Sequence, residues 1–153
     1  MNMATQPATR GDDETIEQEI QRKGKTAPRV TTDDIEAAIA GEVYFTAAQG
    51  ASGAARDSDA PAWYSPPSLG LLTFCVLVLH NGFTVTGESA CASPENFDAE
   101  IGRKIARQNA IGKVWPLLGY ELRSKLARRP LTEADSLADL NGTPRPDNPS
   151  QQA

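Results

Sequence analysis

The sequence predicts an α+β fold: an N-terminal helix or helices, a central antiparallel β-hairpin and a long kinked C-terminal helix, set between disordered ends. Two observations carry this. Leu71 to Leu79 is a continuous β-rich apolar run, Asn81-Gly82 is a favoured type I′ turn pair, and Phe83 to Cys91 alternates with period two. Beyond Ser93-Pro94, apolar residues recur at helical spacing as far as Leu122. The rest is polar: hydrophobic residues are 39% and aromatics 6% of 153 residues, so a single compact domain must occupy only part of the chain.

From the N-terminus, residues 1–29 read as a flexible segment holding one short helix. In residues 12–22 Ile16 and Ile20 stand four apart with acids in the first turn, and Gly24 and Pro28 follow. A second helix is expected from Asp33 to Ala40. Thr32 precedes it, with Glu36 one step beyond the ideal capping-box position, and Gly41 ends it. Val43 to Thr46 fits a short strand. Residues 47–68 are small, polar and proline-containing without periodicity, so a flexible insertion is expected, with Trp63 and Tyr64 as docking points.

A two-residue hairpin turn would pair His80 with Phe83. One face would then carry Leu72, Phe74, Val76 and Val78 with Phe83, Val85 and Cys91; the other would carry Leu71, Cys75, Leu77 and Leu79 against Thr84, Thr86 and Glu88. The first face is expected under the long helix. The second, with only short helices to cover it, suggests a homo-oligomer. The long helix is expected to start with Ser93 as N-cap and Pro94 at its first position. Phe97, Ile101, Ile105, Ile111, Trp115 and Leu122 form its inward stripe, and it should bend at Pro116 and reach about Ala127. The domain proper is expected over residues 30–129, and residues 130–153 read as a disordered acidic tail.

The net charge of −5 is unevenly spread: residues 97–129 carry eight basic and three acidic groups, against an acidic remainder. Any anion-binding role therefore belongs to the C-terminal helix. No basic start followed by an apolar run opens the chain, and no apolar run reaches the roughly 20 residues of a membrane span, so a cytoplasmic protein is expected. Cys75 and Cys91 then read as reduced, buried thiols.

The stretch from Leu71 to Leu126 resembles a known family. An apolar strand leads into Asn81-Gly82-Phe83, a second strand ends in Glu88 to Cys91, and Pro94 to Asp98 opens a helix bearing Ile101 to Lys104, then Trp115 and Gly119-Tyr120. This pattern is similar to that of small tailed-phage and prophage accessory proteins labelled by the gene-product names Gp forty-nine and gene sixty-six. The resemblance covers a little over a third of the chain and takes in the helix at 33–40. It implies action inside an infected or lysogenic bacterium and brings no assigned activity.

The densest polar cluster lies where the second strand meets the helix, among Glu88, Ser89, Ser93, Asn96 and Asp98, with Arg103 and Lys104 following. A helix N-terminus offers unpaired N–H groups and positive dipole, so Ser89, Ser93, Asn96, Arg103 and Lys104 are the candidate ligand-binding residues for an anion. Simple capping by Ser93 and Asn96 is the alternative reading. No catalytic set is expected: the single histidine, His80, and Cys91 fall at opposite ends of the hairpin, and no carboxylate constellation replaces them. No metal ligand set and no cofactor motif is visible. The function expected is a non-catalytic binding module for a host protein or a small anionic ligand. A nucleic-acid role for the basic helix stands second, and an enzyme of unrecognised type third.

Overall fold

The computed structural model describes residues 10–56, 66–128 and 130–146. The chain divides into two units, residues 1–122 and 123–153. The described residues form an α+β structure of five α-helices, two 3-10 turns and a three-stranded antiparallel sheet.

Helix α1 spans Arg10–Arg22 and α2 spans Thr32–Ala38. The cap of α2 is Thr31, one residue before the one expected. Its hydroxyl accepts from the Asp34 N–H, and the Asp34 carboxylate accepts from the Thr31 N–H in return, completing a capping box in the ideal spacing. With the frame moved back, the helix ends early and strand β1 runs Ile39–Thr46, taking in residues expected to be helical. Ile35, at 1% exposure, anchors α2 in the core.

Where the insertion was expected, Ala47–Arg56 form helix α3, and Pro67–Leu71 form a 3-10 turn. Alanine at five of its ten positions favours a helix. Thr46 and Gln49 also cap each other, the Thr46 N–H donating to Gln49 Oε1 and the Gln49 N–H to Thr46 Oγ1. Trp63 and Tyr64 lie outside the described residues.

Strands β2 (Leu72–Leu79) and β3 (Thr84–Ala90) make the hairpin, and β1 adds on the other side of β2 in the order β1-β2-β3. The turn differs from the expected one. Leu79 N–H donates to Phe83 O and Gly82 N–H to Leu79 O, so the loop has three residues, with Gly82 at φ 82°. That is the arrangement of a turn closed by a left-handed glycine rather than a two-residue type I′ turn. The register therefore pairs Leu77 with Val85 and Val76 with Thr86. A one-residue slip exchanges the faces of one strand relative to its neighbour. Cys75, Leu77 and Leu79 thus share a face with Val85 and Gly87, and this is the buried face.

Helix α4 (Ala99–Ala127) covers it and runs unbroken through Pro116. Its fully buried line is Gly102, Ala106, Ala110 and Val114, not the larger residues beside them; Ile101 is 56% exposed. The reason is proximity. A Cβ on Gly102 would stand 3.0 Å from Thr73 Oγ1, so only small residues fit between helix axis and sheet, while Ile111, Trp115 and Leu118 pack at the flanks. The face expected to drive self-association is therefore the internal core. The face expected to be core, with Leu72, Phe74, Val76 and Val78, is the half-buried one.

In the second unit, α5 spans Glu133–Asn141 inside the expected disordered tail. Thr132 and Asp135 form a second capping box, Gly142 closes the helix with φ 64°, and Arg145 pairs with Asp139 at 2.6 Å. These end signals outweigh the polar composition that argued for disorder.

Candidate functional site

At the junction of β3 and α4 the first amides of the helix are already occupied. Asp98 Oδ1 accepts from the N–H groups of Glu100 and Ile101, both at 2.9 Å, which makes Asp98 the N-cap and supplies the negative charge that end favours. Ser93 instead opens a separate 3-10 turn, Pro94–Asn96, and makes no side-chain cap bond; its carbonyl accepts from the Cys91 thiol.

The five candidate ligand residues are thus spread over three elements. Ser89 is half-buried on β3 opposite Thr73, Asn96 is exposed on the 3-10 turn, and Arg103 and Lys104 lie on the first turns of α4. Lys104 is held by Glu100 at 2.7 Å, and Arg103 stands over the Tyr44 ring, 5.9 Å from its centroid. Glu88 bonds elsewhere, to Lys113 at 3.5 Å.

The best-connected polar cluster lies between α2, β1 and α4. Arg107 donates from Nε to Glu42 at 2.7 Å and from Nη2 to Glu36 at 2.8 Å, tying α4 to both earlier elements. These carboxylates hold the guanidinium firmly in its charged form, above its ordinary range. Tyr44 packs beside it, opposite Cys75, whose thiol burial pushes up. From sequence, Arg107 counts only among the basic groups of the helix and Tyr44 only as part of a short strand. Glu42 and Glu36 lie 65 and 71 residues from Arg107, and no local spacing signals such pairs.

The basic side chains of α4 are in large part committed within the chain. Besides Arg103, Lys104 and Arg107, Lys113 Nζ donates to the Thr86 carbonyl at 2.7 Å. Arg123 and Arg128 are exposed, in the second unit. His80 sits in the hairpin turn, and Cys91 N–H bonds Leu71 O at the far end of the strands, so the two do not meet. Among the described residues no group of three or more His, Cys, Asp or Glu is gathered as a metal site would need. No described helix is long and apolar enough to cross a membrane.

Among the described residues, the sheet face turned away from α4 is only partly covered. It presents Val43 and Phe45 of β1, Phe74, Val76 and Val78 of β2, and Thr84 and Thr86 of β3. Phe45 stacks on Phe74 with centroids 5.5 Å apart, and Gly50 of α3 lies against Phe45. Beyond that end Val43 is 54% exposed and Val76 and Val78 are half-buried. A separate cavity of about 260 Å³ lies between α1, the start of α2 and α4, lined by Ile16, Ile20, Val30 and Trp115 with Glu17 at its edge. Arg29 donates to Glu17 there.

A family model described as "Phage protein (N4 Gp49/phage Sf6 gene 66) family" matches residues 30–126, a span that includes α2, α3, all three strands and all but the last residue of α4. No curated protein and no solved structure matches the chain.

Proposed function

The chain belongs to the phage protein (N4 Gp49/phage Sf6 gene 66) family, and from that premise we propose that it is a phage- or prophage-encoded accessory protein working as a non-catalytic binding module in the bacterial cytoplasm. Its partner is a host protein, as a counter-defence or takeover factor would need. The observation that supports this reading is the partly covered apolar sheet face inside the family region, where Val43 is exposed and Val76 and Val78 are half-buried. Contiguous apolar surface of this kind usually serves recognition.

A small anionic ligand is the weaker form of the same reading, since Asp98 occupies the helix amides such a ligand would use. Nucleic-acid binding is weaker again, because Arg103, Lys104, Arg107 and Lys113 are engaged within the chain. The test is affinity capture from nuclease-treated bacterial lysate with wild type and Val76→Lys. A host protein enriched by wild type and lost with the variant supports the proposal. Equal capture by both, or recovery of nucleic acid before nuclease treatment, overturns it.

A further inference from the structure

The two outer edges of the sheet are not equivalent, and the difference identifies a second interaction surface. On β3, whose outer edge carries the main-chain groups of Thr84, Thr86 and Glu88, helix α4 reaches across. Asn109 Nδ2 donates to Glu88 O at 2.8 Å and Lys113 Nζ to Thr86 O at 2.7 Å. Two carbonyls of that edge are therefore taken and two side chains lie across it, which obstructs strand addition.

On β1 the alternation of the ladder assigns Gly41, Val43 and Phe45 to bonding with β2. It leaves the main-chain N–H and C=O of Glu42 and Tyr44 pointing outward. No described residue pairs with them. The open span has definite ends. Thr46 N–H is taken by Gln49, and the register shift at Ala40 breaks the strand on the other side. The residue midway between these two ends is Val43, which is 54% exposed.

We propose that β1 pairs antiparallel with β1 of a second copy of this chain about a two-fold axis through Val43, joining the two sheets into one. This goes beyond the binding-module reading, since it concerns the main-chain edge of β1 and engages only Val43 of the open face. A second copy is the occupant because the span is self-complementary in this register. Glu42 falls opposite Tyr44 of the other copy on both sides of the axis, and each pair can exchange its outward main-chain hydrogen bonds. Val43 meets its own counterpart in the close, non-bonded position, burying an apolar side chain on each copy. Moving the axis by one residue to Glu42 would set two carboxylates opposite each other, which is unfavourable. Association also stops at two copies: the two-fold pairing consumes the open edge of each, and Asn109 and Lys113 obstruct the β3 edges, so a closed dimer forms and not a fibre.

Light scattering and sedimentation on the full chain at micromolar concentration test this, together with three further measurements. The wild type should be a dimer, and Val43→Lys, which places like charges on the axis, should be a monomer with an unchanged melting transition once dilution is accounted for. The amides of Glu42 and Tyr44 should exchange slowly in the wild type and rapidly in Val43→Lys, while that of Val43, bonded within the chain, stays protected in both. In a Cys91→Ala background, Val43→Cys should form a disulfide-linked dimer on mild oxidation, and Val76→Cys should not. A monomeric wild type overturns the proposal, whether or not the Glu42 and Tyr44 amides are protected. So does a dimer indifferent to Val43→Lys. Neither result bears on whether Val76→Lys loses a captured host protein, so this proposal and the preceding one fail separately.

Discussion

Gly87 lies so close beneath α4 that a Cβ on it would stand 2.1 Å from the Ala106 carbonyl oxygen and 2.3 Å from the Ala110 amide nitrogen. Both neighbours are helix backbone, which cannot swing aside as a side chain would. The contact fixes the spacing of helix and sheet and explains the line of small residues from Gly102 to Ala110. Gly87→Ala should therefore destabilise the fold by about 3 kcal/mol or more, by forcing helix and sheet apart. Gly112→Ala is the matched control: nothing lies within 4 Å of its added Cβ, and it is exposed on the same helix. It should stabilise by roughly 0.5 to 1 kcal/mol through helix propensity. Chemical denaturation of the two variants decides; equal effects would mean that the helix sits farther out.

The hairpin faces can be distinguished by a charge placed on each. Leu77 has no exposed surface and Val76, its neighbour in sequence, faces the other way and is half-buried. Leu77→Lys should cost more than about 4 kcal/mol and leave little folded protein, because it buries an unpaired ammonium. Val76→Lys should cost no more than about 1 kcal/mol. Circular dichroism melts read both, and a reversal of the order would restore the two-residue turn and its register.

Much of the fold was legible, and what was not has a common cause. The apolar run of β2, the period-two pattern of β3 and the length of α4 follow from side-chain chemistry alone. The facing did not, because β2 is apolar on both sides: Leu72, Phe74, Val76 and Val78 compete with Cys75, Leu77 and Leu79. Only the turn selects between them, and Asn81-Gly82 serves a three-residue loop as readily as a two-residue one. The inward line of α4 was hidden similarly. Gly102, Ala106 and Ala110 contribute little apolar area, so a search for large residues settles on Ile101 and Ile105 one step away. The recurrence of small residues every fourth position, with a glycine in the strand opposite, is the signal that finds it. At the junction, Ser93 and Asp98 are both good caps, and local sequence does not rank them. The Arg107 cluster depends on residues brought together only by the fold.

That ranking of caps is measurable. Asp98→Ala removes the acceptor for two helix amides and should cost about 1 kcal/mol, within the range of measured N-cap losses. Ser93→Ala removes no cap bond and should be near neutral. If Ser93→Ala proved the costlier change in thermal melts, the helix would begin at Pro94 and its first amides would again be available to a ligand.

Tyr44 gives the fold a dependence on alkaline pH whose direction can be stated. Burial, with the Cys75 thiol and the Glu42 carboxylate nearby, pushes its phenol up to about 12 from an ordinary 10.0. The folded chain thus favours the neutral phenol. The stability it contributes is complete below 10.0, where the phenol is neutral in both states, and is lost as the pH rises from there through about 12. Cys75 changes in the same sense and is retained in a Tyr44→Phe variant, so the comparison isolates the phenol. Subtracting the tyrosinate absorbance titration of Tyr44→Phe from that of wild type should leave one transition centred near 12. The fall in denaturation midpoint over the same pH range should also be shallower in the variant. A difference titration centred at the ordinary value would show that the Tyr44 ring is not covered between Arg103 and the sheet, and would leave Arg107 and Glu42 as the contact that joins β1 to α4.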